Sequence, residues 1–293
     1  MTQNSKHTLR RLTASRSGLL VPGAYNALSA RIVEDLGFGA LYLTGAGLTN
    51  MQLGLPDLGF VGLKEVADQV SAIRDAVSIP IIVDADTGFG NALNVRRTVR
   101  VLERAGADAI QLEDQVLPKK CGHFSGQNLI SAAEMCGKIQ AAAEARQDEN
   151  LLIIARTDAC AVDGIDAAIE RAGRYAEAGA DVLFIEAVRE LDDIRRLPAL
   201  FERPLLMNIV IGGKTPALSA AELKELGYGL VLYANAALQG AVLGMQRALG
   251  ALARDGILQE DPQLVVPFAE RQRLVNKPLY DELDARYGAA GQD

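Results

Sequence analysis

The chain has 293 residues, 49% of them hydrophobic and 23% charged, so it carries enough apolar material for a sizeable core. A net charge of −7 with no basic stripe excludes wholesale nucleic-acid binding, and no apolar run approaches the roughly 18 residues that a membrane helix needs. Cys121, Cys136 and Cys160 form no CxxC pair and read as reduced thiols, and the first residues hold no apolar signal-peptide core, so a cytoplasmic protein is expected.

In chain order, residues 1–17 read as a helix ahead of a repeating unit of short apolar run, loop, amphipathic helix and glycine. The joint is plainest in "EDLGFGALYLTG", "ERAGADAIQLED" and "EAGADVLFIEA", where a helix stops at a glycine and a buried strand follows. The strands expected are Leu19–Pro22, Ala40–Leu43, Pro80–Asp84, Ala109–Leu112, Leu151–Ala155, Asp181–Ile185, Leu205–Asn208 and Gly229–Tyr233. Helices are expected to begin near Asn26, Leu63, Ala92, Ser131, Gly164, Arg189, Ser219 and Asn235. Ser131 with Glu134, and Ser219 with Glu222, have capping-box spacing, and the helix from Gly164 aligns Ile165, Ala168, Ile169, Ala172, Tyr175 and Ala176. Eight such repeats predict an α/β protein of the (β/α)8 TIM-barrel class. The rival, a doubly wound open sheet, calls for a Gly-rich first turn, and "VPGAYNALS" is not one. Residues 1–293 thus read as a single barrel domain, with a proline-punctuated helical tail over 256–293.

A barrel predicts chemistry at the C-terminal ends of its strands. There the sequence sets Tyr42 in "YLTGAG", Asp84 and Asp86 in "VDADTGFGN", Glu113 and Asp114 in "LEDQ", Arg156 and Asp158 in "ARTDA", Glu186 in "FIEA" and Asn208 in "LMNIV". Any one strand-end acid is most often a helix cap or solvated; acids at several strand ends together raise one another's self-energy unless a cation sits among them. An all-oxygen set suits Mg²⁺. Asp84, Asp86 and Glu113 are the leading metal residues, with Asp114 and Asp158 behind them.

The segment after the fourth strand, "PKKCGHFSG", concentrates Lys119, Lys120, Cys121 and His123 between proline and glycine. Flanking cations lower a thiol's pKa, which makes Cys121 a candidate nucleophile or proton donor on a hinged lid. Zinc needs more ligands than one Cys and one His, and residues two apart in one loop make a poor Cys-His dyad. Cys136 and Cys160 read as packing.

The segments "DADTGFGN", "IQLEDQVLPKKCGH" and "IARTDA" resemble the isocitrate lyase and phosphoenolpyruvate mutase superfamily, with the likeness running from about Gly18 to Gly256. The Lys-Lys-Cys-Gly-His run resembles its carbon–carbon lyase branch, the methylisocitrate and 2,3-dimethylmalate lyases. The resemblance implies a barrel whose eighth helix is exchanged between subunits of a homotetramer, Mg²⁺ or Mn²⁺ as cofactor, and a 2-hydroxy di- or tricarboxylate as the small-molecule substrate. It implies that Thr44, Gly45 and Ala46 bind the α-carboxylate end, and that Asp84 and Asp86 hold the metal with Asp57 and Glu113 in the same shell. It further implies that Arg156 meets the substrate oxyanion, that Glu186 and Asn208 line the pocket, and that Lys119, Cys121, Gly122 and His123 form a mobile gating loop. Cys121 would protonate the departing carbanion, and Tyr42 would take part in proton transfer. The chain departs from the methylisocitrate lyases after the seventh strand, where "NIVIGGKTP" replaces "NxTEFG", and after Cys-Gly-His, where "FSGQ" replaces an Arg-containing run. Fewer polar contacts favour an apolar substituent, hence a 2,3-dimethylmalate-like substrate cleaved to pyruvate or another 2-oxo acid and a short carboxylate. Methylisocitrate cleavage, oxaloacetate hydrolysis, phosphonomutase activity and an inactive carboxylate-binding barrel are the alternatives.

Overall fold

Eight short runs rich in Val, Ile and Leu pair side by side, all parallel, and the last closes on the first. They are β1 (Leu19–Ala24), β2 (Leu41–Leu43), β3 (Ile81–Asp84), β4 (Ala109–Glu113), β5 (Leu152–Thr157), β6 (Val182–Ile185), β7 (Leu205–Asn208) and β8 (Leu230–Tyr233). The computed structural model describes residues 5–119, 126, 128–213, 215–216 and 218–289. All eight expected strands are present. β5 runs two residues further than expected, because Arg156 and Thr157 stay in register with Phe184 and Ile185 of β6. Arg156 is therefore a strand residue, and backbone pairing holds it.

The helices are α1 (Ser5–Ala14), α2 (Ala27–Asp35), α3 (Gly45–Leu53), α4 (Leu63–Ala76), α5 (Ala92–Ala105), α6 (Ala132–Ala145), α7 (Ala159–Val162), α8 (Ile165–Glu177), α9 (Leu191–Leu200), α10 (Ala220–Leu226), α11 (Ala236–Asp255), α12 (Phe268–Leu274) and α13 (Lys277–Ala289). Two of them, α3 and α7, were not expected. The glycines of "TGAG" argue for a loop, yet Thr44 accepts from Gly47 N–H and starts α3 there, and Gly54 ends it in the left-handed conformation. Ser219 and Glu222 form the reciprocal capping box; at Ser131 the serine accepts from Glu134 N–H. On α8, Ala168, Ala172 and Tyr175 are buried, and Ile165, Ile169 and Ala176 pack beside them.

The chain divides into two compact units, residues 1–236 and 237–293. The first holds the barrel. The second is helical, and α11 exposes Val242, Leu243, Met245, Leu249 and Leu252. No helix among the described residues is long and apolar enough to cross a membrane.

Strand parity sets the layers. Outward residues such as Ile81, Val83, Ile110, Leu112, Ile153 and Leu183 join the helices in one core. Inward residues, Val21, Tyr42, Ile82, Ala109, Leu152, Ile154, Val182, Phe184, Leu206, Leu230 and Leu232, form a second core inside the barrel, joined by Leu9 of α1. Around α1, Asp108 accepts from Arg74 (3.1 Å) and Ile81 N–H (2.7 Å), while Asp181 accepts from Arg10 (3.1 Å), Arg146 (2.6 Å) and Ile153 N–H (2.9 Å). These acids precede β4 and β6, at the strands' N-terminal ends, where charge secures the fold and leaves the other end for chemistry.

Candidate active site

Inward parity continues past the hydrophobic layers into polar residues. Ile82 leads to Asp84 and Asp86, Ala109 to Gln111 and Glu113, Ile154 to Arg156, Phe184 to Glu186, and Leu206 to Asn208. Successive side chains of a strand alternate faces, so these groups converge above the barrel core. Asp84, Glu113, Arg156, Phe184, Glu186 and Asn208 line a cavity of about 110 Å³ with Tyr42, Thr44, Ala46, Asp57, Lys119, Val210, Leu232, Ala234 and Asn235, and Asp86 and Gln111 stand next to Asp84 at its edge.

Asp84, Asp86 and Glu113 each offer a carboxylate oxygen, and the three oxygens lie within 4.8 Å of one another. Asp84 is oriented by Gly45 N–H (3.2 Å), by Asp86 N–H (3.2 Å) and by Gln111 Nε2 (3.3 Å). A Cβ on Gly45 would stand 3.1 Å from Asp84 Oδ2, so a larger residue there would push the Asp84 carboxylate by a few tenths of an ångström. Asp86 has φ +46°, a left-handed conformation that costs an L residue about 1 kcal/mol and that Asp tolerates better than most. Lys119 Nζ lies 2.5 Å from Asp57 and 2.8 Å from Asp86. Asp57 thus reaches the cavity through Lys119 and stands outside the acid trio.

Arg156 is the second centre. It donates through Nε (3.0 Å) and Nη2 (2.8 Å) to Asp158, lies 3.5 Å from Glu113 and 3.4 Å from Glu186, and stacks 5.2 Å from the Phe184 ring. Burial disfavours its charge, but Asp158, Glu113 and Glu186 outweigh burial and keep the guanidinium firmly protonated. Asn208 Nδ2 donates to Glu186 (3.1 Å). Burial, then the charge of Asp84, raises the Tyr42 phenol far above its ordinary range, and its hydroxyl donates to Gln111. Lys119 behaves as Arg156 does: burial opposes its charge, and Asp86, Glu113, Asp84 and Asp57 more than restore it.

Gln111 was not anticipated, although it sits two residues before Glu113 on one strand and parity alone would have flagged it. Asp114 has the opposite parity and faces the helices. It accepts from Thr157 (2.7 Å), Asp158 N–H (3.0 Å), Tyr175 (2.8 Å) and Arg171 (3.3 Å), bracing the end of β5 from behind. Cys136 and Cys160 contact the carbonyls of Arg174 and Ala187 and lie outside the cavity lining. Cys121, Gly122 and His123 lie outside the described residues.

The residues fit a divalent cation. Glu113 Oε1 is buried without a hydrogen-bond partner, Asp86 Oδ1 is buried with only the Lys119 ammonium beside it (2.8 Å), and carboxylates outnumber Lys119 and Arg156 around the cavity. All donors are oxygen, the preference of hard ions. Burial pushes Asp86 up to about 6; Lys119 pulls against this and Asp84 adds to it. The group is ionised above that value and protonated below it, so ion binding must expel a proton at low pH. Mn²⁺ affinity is expected to fall by at least about tenfold per pH unit below pH 6, and Glu113, which burial also raises well above the usual carboxylate range, extends the dependence to higher pH. Calorimetric titration of the apoprotein across this range checks it; a flat profile would remove Asp86 as a ligand.

The phosphoenolpyruvate phosphomutase family model matches residues 9–253. The chain belongs to the phosphoenolpyruvate mutase/isocitrate lyase superfamily. Within this superfamily it is 41% identical over 284 residues to a 2,3-dimethylmalate lyase from Eubacterium barkeri, covering 97% of this chain and 98% of the relative. It is 42% identical over 285 residues to a 2-methylisocitrate lyase from Aeropyrum pernix, covering 97% and 92%. A crystal structure of 2,3-dimethylmalate lyase superposes with TM-score 0.92 at 36% identity over 100% of this chain and 98% of the other. An oxaloacetate acetylhydrolase bound to 3,3-difluorooxalacetate gives 0.90 at 34% over 100% and 99%. A phosphonopyruvate hydrolase bound to oxalate and Mg²⁺ gives 0.84 at 31% over 98% and 99%. The superfamily's mutase, hydrolase and lyase members thus share this barrel.

Proposed function

We propose that this superfamily member is a metal-dependent carbon–carbon lyase that cleaves the C2–C3 bond of a 2-hydroxy dicarboxylate of the 2,3-dimethylmalate type. The observation that carries this is one cavity lined both by ionic groups, Asp84, Glu113 and Arg156 with Asp86 beside them, and by apolar ones, Phe184, Val210, Leu232 and Ala234. The lyase relatives, alike over nearly the whole chain, support the reaction type.

In this reading Asp84, Asp86 and Glu113 hold Mg²⁺ (Mn²⁺ serving in its place), which supplies positive charge where the C2 oxygen becomes anionic. Arg156 adds a fixed guanidinium to the same oxygen, preorganised by Asp158 before substrate arrives. The first turn of α3, with Thr44, Gly45 and Ala46, receives a carboxylate end. Gly45 N–H already donates to Asp84, so Ala46 N–H and the Thr44 hydroxyl carry that contact. A carboxylate lining the cavity takes the C2 hydroxyl proton, the O–H electron pair forms the keto group at C2, the electron pair of the C2–C3 bond passes to C3, and the Cys121 thiol protonates C3 and is left as thiolate. Tyr42 serves as a neutral hydrogen-bond donor, because its phenolate is too costly in this site. Asn208 donates to the remaining substrate oxygens while Glu186 steadies Asn208 and Arg156, and Lys119 with His123 would serve the approach. Lys119, the last described residue before Cys121, is buried against Asp57 and Asp86, which supports a thiol acting at this rim.

The test is a panel with Mg²⁺: 2,3-dimethylmalate, 2-methylisocitrate and oxaloacetate, followed by pyruvate or oxalate release. The apolar lining residues Val210, Leu232 and Ala234 predict kcat/KM for dimethylmalate at least about tenfold above methylisocitrate, since a third carboxylate would be buried against them unpaired. Faster turnover of the tricarboxylate would reverse the ranking in favour of the second reading, a 2-methylisocitrate lyase; oxalate from oxaloacetate alone would make the protein a hydrolase.

We place the protein in the cytoplasm as a homotetramer that exchanges its eighth helix; the exposed apolar residues of α11, and Leu28, Ile32 and Leu36 at α2 and its end, support the association. Light scattering should give four times the chain mass; a monomer would exclude the exchange.

A further inference from the structure

The turn that carries Asp86 leaves β3 through four residues with positive φ, Asp86 (+46°), Gly88 (+85°), Phe89 (+59°) and Gly90 (+140°). Such a path is unfavourable for the chain by itself and persists only where its surroundings impose it. Here four successive carbonyls of the turn each receive a donor. Ala85 O accepts from Gly88 N–H (2.8 Å) and Asp86 O from Glu113 N–H (2.9 Å). Thr87 O accepts from Lys138 Nζ (3.1 Å) and Gly88 O from Thr98 Oγ1 (3.0 Å).

The first two donors belong to the backbone. The last two are side chains from neighbouring helices, Thr98 on α5 and Lys138 on α6, and neither lines the cavity. Thr98 is fully buried and Lys138 is 4% exposed. A buried ammonium is an expensive way to fill space, and an apolar residue of that length would pack at less cost. What the ammonium supplies is a charge-assisted bond to a carbonyl one residue beyond Asp86. Thr98, β-branched and held at χ1 in a helix, aims its hydroxyl at the next carbonyl.

We infer that Lys138 and Thr98 are positioning residues for the metal centre, clamping the Thr87 and Gly88 carbonyls so that Asp86 keeps its left-handed backbone and its carboxylate stays beside Asp84 and Glu113. The inference rests on the metal-dependent reading above. Neither residue touches substrate; both act through Asp86.

The test measures the Mn²⁺ dissociation constant of the full chain by electron paramagnetic resonance, without substrate. Lys138→Met and Thr98→Val should each weaken binding by roughly 10–100-fold, the usual loss when an outer partner of a ligand is removed. Thr98→Ser, which keeps the oxygen, should retain the wild-type constant. Tyr228→Phe removes a different buried hydrogen bond, from Tyr228 to Ile194 O (2.8 Å), and should lower Tm with the constant unchanged. Asp86→Asn marks loss of a ligand. If wild type binds Mn²⁺, Asp86→Asn does not, and either Lys138→Met or Thr98→Val matches wild type, the clamp is overturned and the metal site stands. If wild type binds no Mn²⁺, or Asp86→Asn binds as well as wild type, the metal reading fails and the clamp falls with it. Should Lys138→Met not fold by circular dichroism, Thr98→Val against Thr98→Ser decides.

Discussion

Arg156→Lys is expected to fold and to lose about 10²–10³-fold in kcat, the usual loss when one preorganised oxyanion donor is removed. The reason is geometric. Arg156 uses two nitrogens on Asp158 and still lies within 3.5 Å of Glu113 and Glu186. A guanidinium is a planar fork that serves several acceptors at once, whereas an ammonium on a shorter stem is one point of charge. Charge conservation keeps the buried acids compensated, so the variant should avoid the roughly 3–5 kcal/mol that breaking a buried pair costs. Arg156→Ala would incur that penalty and confuse folding with catalysis. Initial rates of keto-acid release, read beside thermal unfolding, separate the two. A kcat within about fivefold of wild type would mean that Arg156 is structural, an anchor for Asp158 and the end of β5.

Cys121→Ser should lose about 10²–10⁴-fold in turnover, the range that a positioned general acid contributes. Breaking C2–C3 leaves an electron pair on carbon next to a carboxylate, a strong base that will return to the keto carbon unless protonated. A thiol ionises far more readily than an alcohol, and Lys119 and Lys120 in the same run favour its conjugate base. Serine keeps the size and loses that acidity. Mn²⁺ affinity should stay at the wild-type value, because the acid trio is untouched. Unchanged turnover in the serine variant would end the proton-donor role.

The barrel itself was legible because its signals are local. A short apolar run between two helical patterns can be read without knowing where the neighbours lie, and all eight strands fall on such runs, with a glycine marking the joint before β2, β4 and β6. The rim residues were legible for a related reason. In a closed parallel barrel the strands' ends share one mouth, so order along the chain already implies nearness for Asp84, Glu113, Arg156, Glu186 and Asn208. The α3 helix was hidden because its start rests on a Thr44 cap, which offsets the poor helix propensity of the glycines around it.

Strand spacing and inward parity are properties of the chain, so the sequence by itself determined the fold and the set of acids at its mouth. Which of those acids meet one another was decided only in three dimensions. Asp57 pairs with Lys119 instead of joining the trio, Asp114 turns outward to Arg171 and Tyr175, and Lys138 crosses from a helix to Thr87. Each of these contacts joins residues far apart in sequence. Their partners are selected by packing and by the cost of leaving a buried charge alone, and no local pattern encodes either.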